Sequence, residues 1–190
     1  MRLRVHRTDG KTGSYFQDDE RRAHTLVSRL HPDRLFASGP IVIGVFNPFT
    51  VLNPDEVCWV EVDTELQVHQ ALPRGVAALE QLSDRDDYEA VLARQWPLWR
   101  KFASKAGDLV EALLEVSLRD GSSLYLRATG YADHAPLVQA MFGGKTVVAT
   151  RGPHVTLYIN PKCIVRARVY HSHETVEYPD GLWIAEAAEI

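Results

Sequence analysis

Two histidines and a glutamate near the carboxyl terminus, His171, His173 and Glu177, have the spacing His-x-His-x-x-x-Glu. Alternate residues of a strand turn two imidazoles to one side, and a carboxylate can complete a metal site that activates water for hydrolysis. Only this fragment of such a motif is present. The glycine that should lead it falls at Val165, and too few residues follow Glu177 for a second half. A solvated strand end is the preferred reading, and a small metal-assisted hydrolase is the alternative.

The other chemical candidates are weaker. Gly143-Gly144-Lys145-Thr146 imitates the end of a phosphate-binding loop, but Gln139 stands where its first glycine belongs and the segment leads from a helix into a strand, the reverse of what that loop needs. There is no Gly-x-Ser-x-Gly elbow, and neither Cys58 nor Cys163 lies in a nucleophile context. His24, His31, His69, His134 and His154 are scattered singly. Trp96, Trp99 and Phe102 among Arg94, Arg100, Lys101 and Lys105 interleave rings with cations as a single-strand nucleic-acid surface does. They also fit a helix that buries its rings, which is the reading preferred here. These residues match no family's motif set, so no catalytic residue, cofactor or metal is assigned.

The elements that must position these residues belong to an ordered globule. The 190 residues are 45% apolar and 24% charged, near the average for such proteins. The formal charge of −4 and pI near 6.0 argue against an electrostatic grip on nucleic acid. Two cysteines are too few for a disulfide scaffold. No apolar run reaches the roughly 20 residues a spanning helix needs, and Met1–Arg7 alternates charged with apolar residues, so no membrane association and a cytoplasmic location are expected.

An internal repeat organises the chain. Arg2 to Gly10 and Leu113 to Gly121 both alternate apolar residues up to an Asp-Gly, a hairpin signal. Each is followed by a helical stretch: Asp19 to Leu30, with Ala23, Leu26, Val27 and Leu30 on one face, and a second copy capped by Asp133 and stopped by Gly143-Gly144. Strands are then expected at Leu35 to Ala37 and Val147 to Ala149, each leading through Gly-Pro into an apolar run that ends at Asn-Pro, Asn53-Pro54 or Asn160-Pro161, with a last strand beyond. The first copy carries about six extra residues around Phe46 to Thr50.

The expected fold is α+β. It comprises two pseudo-symmetric ββαββ units at 1–63 and 113–171, a helical connecting segment at 64–112, and a C-terminal hairpin and tail at 172–190. The connecting segment reads as helices at Leu66 to Leu72, Val76 to Leu82, and from Asp84 or Asp86 onward, with Pro97 kinking or restarting the last. After the Asn-Pro turns, alternation puts Cys58, Val60 and Val62 on one face, and Val165, Ala167 and Val169 on the corresponding face. The opposite faces carry Trp59, Glu61 and Asp63 in one copy and Arg166, Arg168 and Tyr170 in the other. Their opposed charges suggest that these six residues meet, within the chain or across a homodimer. A non-enzymatic binding or assembly protein, with itself as one partner, is the expected function.

Overall fold

The computed structural model describes residues 1–37, 39–44, 49–72, 75–99, 108–131 and 146–171. Over these residues the chain is α+β and mostly sheet. Arg2–Arg7 (β1) and Thr12–Phe16 (β2) form an antiparallel hairpin. Gly10 turns it at φ 77°, a conformation glycine adopts without strain. Leu109–Leu118 (β7) and Ser123–Tyr131 (β8) pair in the same way around Gly121 at φ 85°. Asp19 caps Glu20–Arg29 (α1), its carboxylate accepting from the Arg22 N–H at 2.9 Å, and Ala23 and Val27 are buried at the predicted spacing. Asp84 caps Arg85–Trp99 (α3) by accepting from the Asp87 N–H at 2.9 Å, and the helix runs through Pro97 to Trp99.

Four expected elements differ. Leu35 to Ala37 is not a strand. Pro32 starts a helical turn, Pro32–Leu35 (α2), as proline at a first helical position can, and Phe36 is buried directly after it. The apolar run before Asn53 is split by its extra residues into Ile41–Ile43 (β3) and Thr50–Leu52 (β4), which pair with each other in a separate two-stranded sheet. Val76 to Leu82 is not helical. Val76–Gln81 (β6) is a strand antiparallel to β8 and parallel to Val147–Arg151 (β9), so neighbours in the sheet override the helix preference of its Ala, Leu, Glu and Gln. Residues 66–72 contain no helix. The helix expected from Asp133 and the C-terminal hairpin lie outside the described residues.

The remaining strands are Val57–Asp63 (β5), Val155–Ile159 (β10) and Ile164–His171 (β11). The main sheet runs β11-β7-β8-β6-β9-β10-β5-β1-β2. One face carries Val5, Val60, Val62, Val148 and Tyr158, covered by Leu30 just after α1 and by residues of α2, β3 and β4. The other gathers Trp59, Leu79, Leu114, Val116, Leu126, Ala149, Leu157 and Ile159 into a second core. The sheet curls around this second core. The Arg119 N–H beyond β7 donates to the Cys163 carbonyl at 2.9 Å, and Cys163 Sγ donates to the Val57 carbonyl at 3.5 Å, joining the β7–β8 turn to the start of β5.

Both Asn-Pro segments form a 3₁₀ turn capped by the asparagine, whose side chain accepts from the N–H two residues on, at 3.1 Å in each case. Both following strands begin with a register shift, between His6 and Arg7 opposite β5 and between Ile164 and Arg166 on β11. The unpaired residues are Cys58 and Val165, and such a bulge reverses the facing of the residue it extrudes. Cys58 therefore joins Trp59 in the second core while Val60 and Val62 lie in the first, and Val165, expected in the core, is 68% exposed. Among the described residues no helix is long and apolar enough to cross a membrane.

Candidate functional site

Side chains of β1, β5, β9 and β6 form a polar row on the curled face of the sheet. Glu61 is 3% exposed, and its two oxygens accept separately from Arg4 Nη1 at 2.6 Å and Arg151 Nη2 at 2.8 Å. Arg151 Nη1 also lies 3.5 Å from Gln81 Oε1. Between β5 and β9, β10 supplies the buried Leu157 opposite both Glu61 and Ala149, so the ion pairs span an apolar strand. A carboxylate held on both oxygens by guanidinium groups ties β1, β5 and β9 together.

Next to this row the His6 ring stacks on Trp59, with centroids 3.5 Å apart and planes within 5°. His6 Nδ1 meets the Thr12 hydroxyl at 3.1 Å, whereas His6 Nε2 and Trp59 Nε1 are buried with no hydrogen-bond partner among the described residues. Burial lowers the His6 pKa from its ordinary value, opposed in part by the negative charge of Glu61.

On the opposite face, a depression of about 690 Å³ opens beside β5 and β10. Thr64 to Gln70 form one wall, and Pro153, His154 and Thr156 form the other. The Thr64 N–H donates to the His154 carbonyl at 2.9 Å and the Tyr158 hydroxyl to the His69 carbonyl at 3.1 Å, which fix the two walls to each other. Thr64, Glu65, Gln67, His69, Gln70 and His154 offer hydrogen-bonding groups along it.

Cys58 and Cys163 are both fully buried free thiols. Burial pushes the Cys58 thiol up to about 12 and raises Cys163 as well. Such thiols are inert as nucleophiles.

The six residues expected to meet occupy two strands that are not neighbours in the sheet. Trp59 and Glu61 are buried in the interior arrangement above, and Asp63 lies between Arg2 and Val155 in register. Arg166 and Arg168 reach Glu115 on β7 at 3.8 and 3.5 Å, and Tyr170 meets Trp96 of α3 edge-on at 5.2 Å. Within the chain, each face thus finds its charge partner on an adjacent strand.

His171 ends β11 opposite Ala112, and His173 and Glu177 lie outside the described residues, as do Gly143 to Lys145. The Thr146 hydroxyl donates to the Pro32 carbonyl. Among the described residues, no three His, Cys, Asp or Glu side chains come together as a metal site. Sequence reasoning missed Arg4, Arg151 and Gln81. Alternation places Arg4 on the face of His6, but nothing local links Arg151 or Gln81 to Glu61. Compared with known proteins, the chain matches no family model, no curated protein and no solved structure.

Proposed function

We propose that the chain is a non-enzymatic cytoplasmic binding or assembly protein built by duplication of one small α+β unit. Three correspondences support the duplication. Both hairpins anchor the following Asn-Pro segment by the same bond, Thr8 N–H to the Glu56 carbonyl at 3.0 Å and Arg119 N–H to the Cys163 carbonyl at 2.9 Å. Both last strands pair with the first strand of their own unit through the same bulge. One cross-strand ion pair recurs with its polarity reversed, Arg4 to Glu61 in the first unit and Glu115 to Arg168 in the second.

The observation that carries the binding role is the depression walled by Thr64 to Gln70 and His154. Hydrogen-bonding side chains around an open recess suit a small polar ligand or an exposed peptide segment. A thermal-shift screen with amino acids, short peptides and sugars tests this. A binder present at about 100 times its dissociation constant stabilises the fold by about 2.7 kcal/mol, and Gln67→Ala with His154→Ala should remove that shift. Substrate hydrolysis that depends on stoichiometric metal and is lost with His171→Ala and His173→Ala would overturn the reading in favour of the hydrolase.

A further inference from the structure

The two ends of the main sheet are protected very differently. At one end, β11 carries the bulge at Val165 and two exposed arginines, Arg166 and Arg168. Antiparallel pairing of two β11 edges about Ala167 would set Arg166 against Arg168 of the other copy, opposing like charges. Bulges and edge charges are the usual defences against strand addition. At the other end, β2 has the uncharged sequence Thr12-Gly13-Ser14-Tyr15-Phe16, with no proline and no bulge, and Phe16 is 65% exposed.

The direction of the free backbone groups on β2 follows from its pairing with β1. Met1 and Gln17 exchange both bonds of a close pair, each at 3.0 Å, so Gln17, Tyr15 and Gly13 point their N–H and C=O groups at β1. Alternation then turns those of Thr12, Ser14 and Phe16 outward, where they meet no partner among the described residues. We propose that the β2 edge is a homodimer interface, in which two copies pair antiparallel about a two-fold axis at Ser14. This rests on the assembly reading above and names its partner.

The register is self-complementary. Ser14 faces Ser14 of the second copy and Thr12 faces Phe16, so the three outward N–H donors on each chain all find outward carbonyls. The same axis sets Lys11, which with Arg7 flanks Asp9 of its own chain at 3.7 and 2.9 Å, opposite Gln17 and beside Asp18 and Asp19 at the start of α1, so a turn with one net positive charge meets an acidic helix start at both ends of the contact. The arrangement closes on itself as a dimer and, among the described strands of the main sheet, leaves the charged, bulged β11 edges at its two ends, which disfavour further growth.

Sedimentation of the full chain over a concentration series, together with cysteine crosslinking, tests the interface. Wild-type protein should shift from monomer to dimer as concentration rises. Ser14→Pro removes an N–H that faces away from β1, a position where an edge strand tolerates proline, so the fold should persist while dimerisation weakens at least about tenfold. Ser14→Cys should crosslink two copies under mild oxidation, whereas Val165→Cys on the other edge should not. Lys11→Glu should weaken the dimer, and adding Asp18→Lys should restore it. A chain that stays monomeric throughout, or Ser14→Cys that fails to crosslink, overturns the inference. If such a monomer still binds a polar ligand at the Thr64 to Gln70 depression, the binding role survives and only the dimer falls.

Discussion

Lys162 Nζ lies 2.8 Å from Asp55 Oδ1, across 107 residues of chain, and the two residues hold the same place in their respective Asn-Pro turns. Corresponding positions of the two Asn-Pro turns thus meet and carry opposite charges. Beside this contact the Asn160 amide donates to the carbonyls of Pro54 at 3.0 Å and Val57 at 2.9 Å, and the Asn160 N–H donates to the Cys58 carbonyl at 2.9 Å. The two turns pack together in one seam.

The ion pair itself should contribute little. Its side chains are 62% and 59% exposed, and such pairs contribute about 0 to 1 kcal/mol. Reversing either charge alone, Asp55→Lys or Lys162→Asp, should lower stability by about 0.5 kcal/mol. Combining both should recover it in urea denaturation.

Asn160 should matter far more than its counterpart Asn53. Asn160 is fully buried and makes two bonds across the seam besides its cap, whereas Asn53 is exposed and caps only. Asn160→Ala removes two buried bonds across the seam together with the cap, although the Pro54 carbonyl keeps the Val57 N–H and the Val57 carbonyl keeps Cys163 Sγ, and should cost about 2 to 4 kcal/mol. Asn53→Ala should cost about 1 kcal/mol. Equal losses for the two variants in chemical denaturation would argue against the seam.

Glu61→Gln should destabilise the chain by about 2 kcal/mol, less than the usual loss from a fully buried pair, because Arg4 and Arg151 are 35% and 37% exposed and can turn to water. Adding Arg166→Glu and Arg168→Glu to Glu61→Arg should restore nothing in the monomer, since those arginines pair with Glu115. Their change should add a further loss. Recovery would place the two strands in contact.

His6 predicts a pH dependence. Its folded pKa lies below the ordinary value of 6.5 because burial disfavours the imidazolium. The unfolded chain therefore binds more protons near that pH, and stability falls as pH drops through 6.5 toward the lower folded value. Denaturant midpoints of wild type should decline over this window, and His6→Asn should flatten that part of the decline. An unchanged slope would mean that other groups carry it.

Cys58 and Cys163 should resist thiol reagents in the folded protein near pH 8, given their burial and raised pKa values. Both should react at once in guanidinium chloride. Titration with a chromogenic disulfide before and after unfolding measures this, and fast reaction of the native chain would contradict the buried seam.

Short-range signals settled much of the structure. Asp-Gly turns need only glycine's access to positive φ, so both opening hairpins follow from the residues themselves. Asp19 and Asp84 cap their helices, and Asn53 and Asn160 their turns, through bonds that reach two or three residues along the chain. What depended on distant partners was decided by the tertiary structure. Val76–Gln81 is a strand because β8 and β9 flank it, although its residues prefer helix. Cys58 and Val165 change face because a register shift extrudes them, and alternation along one strand cannot reveal a mismatch with another. Glu61 meets Arg4 and Arg151 because curling and strand order bring β1, β5 and β9 together. A sequence specifies local backbone preferences directly, whereas the neighbours of a strand emerge only when the whole sheet minimises its exposed apolar surface.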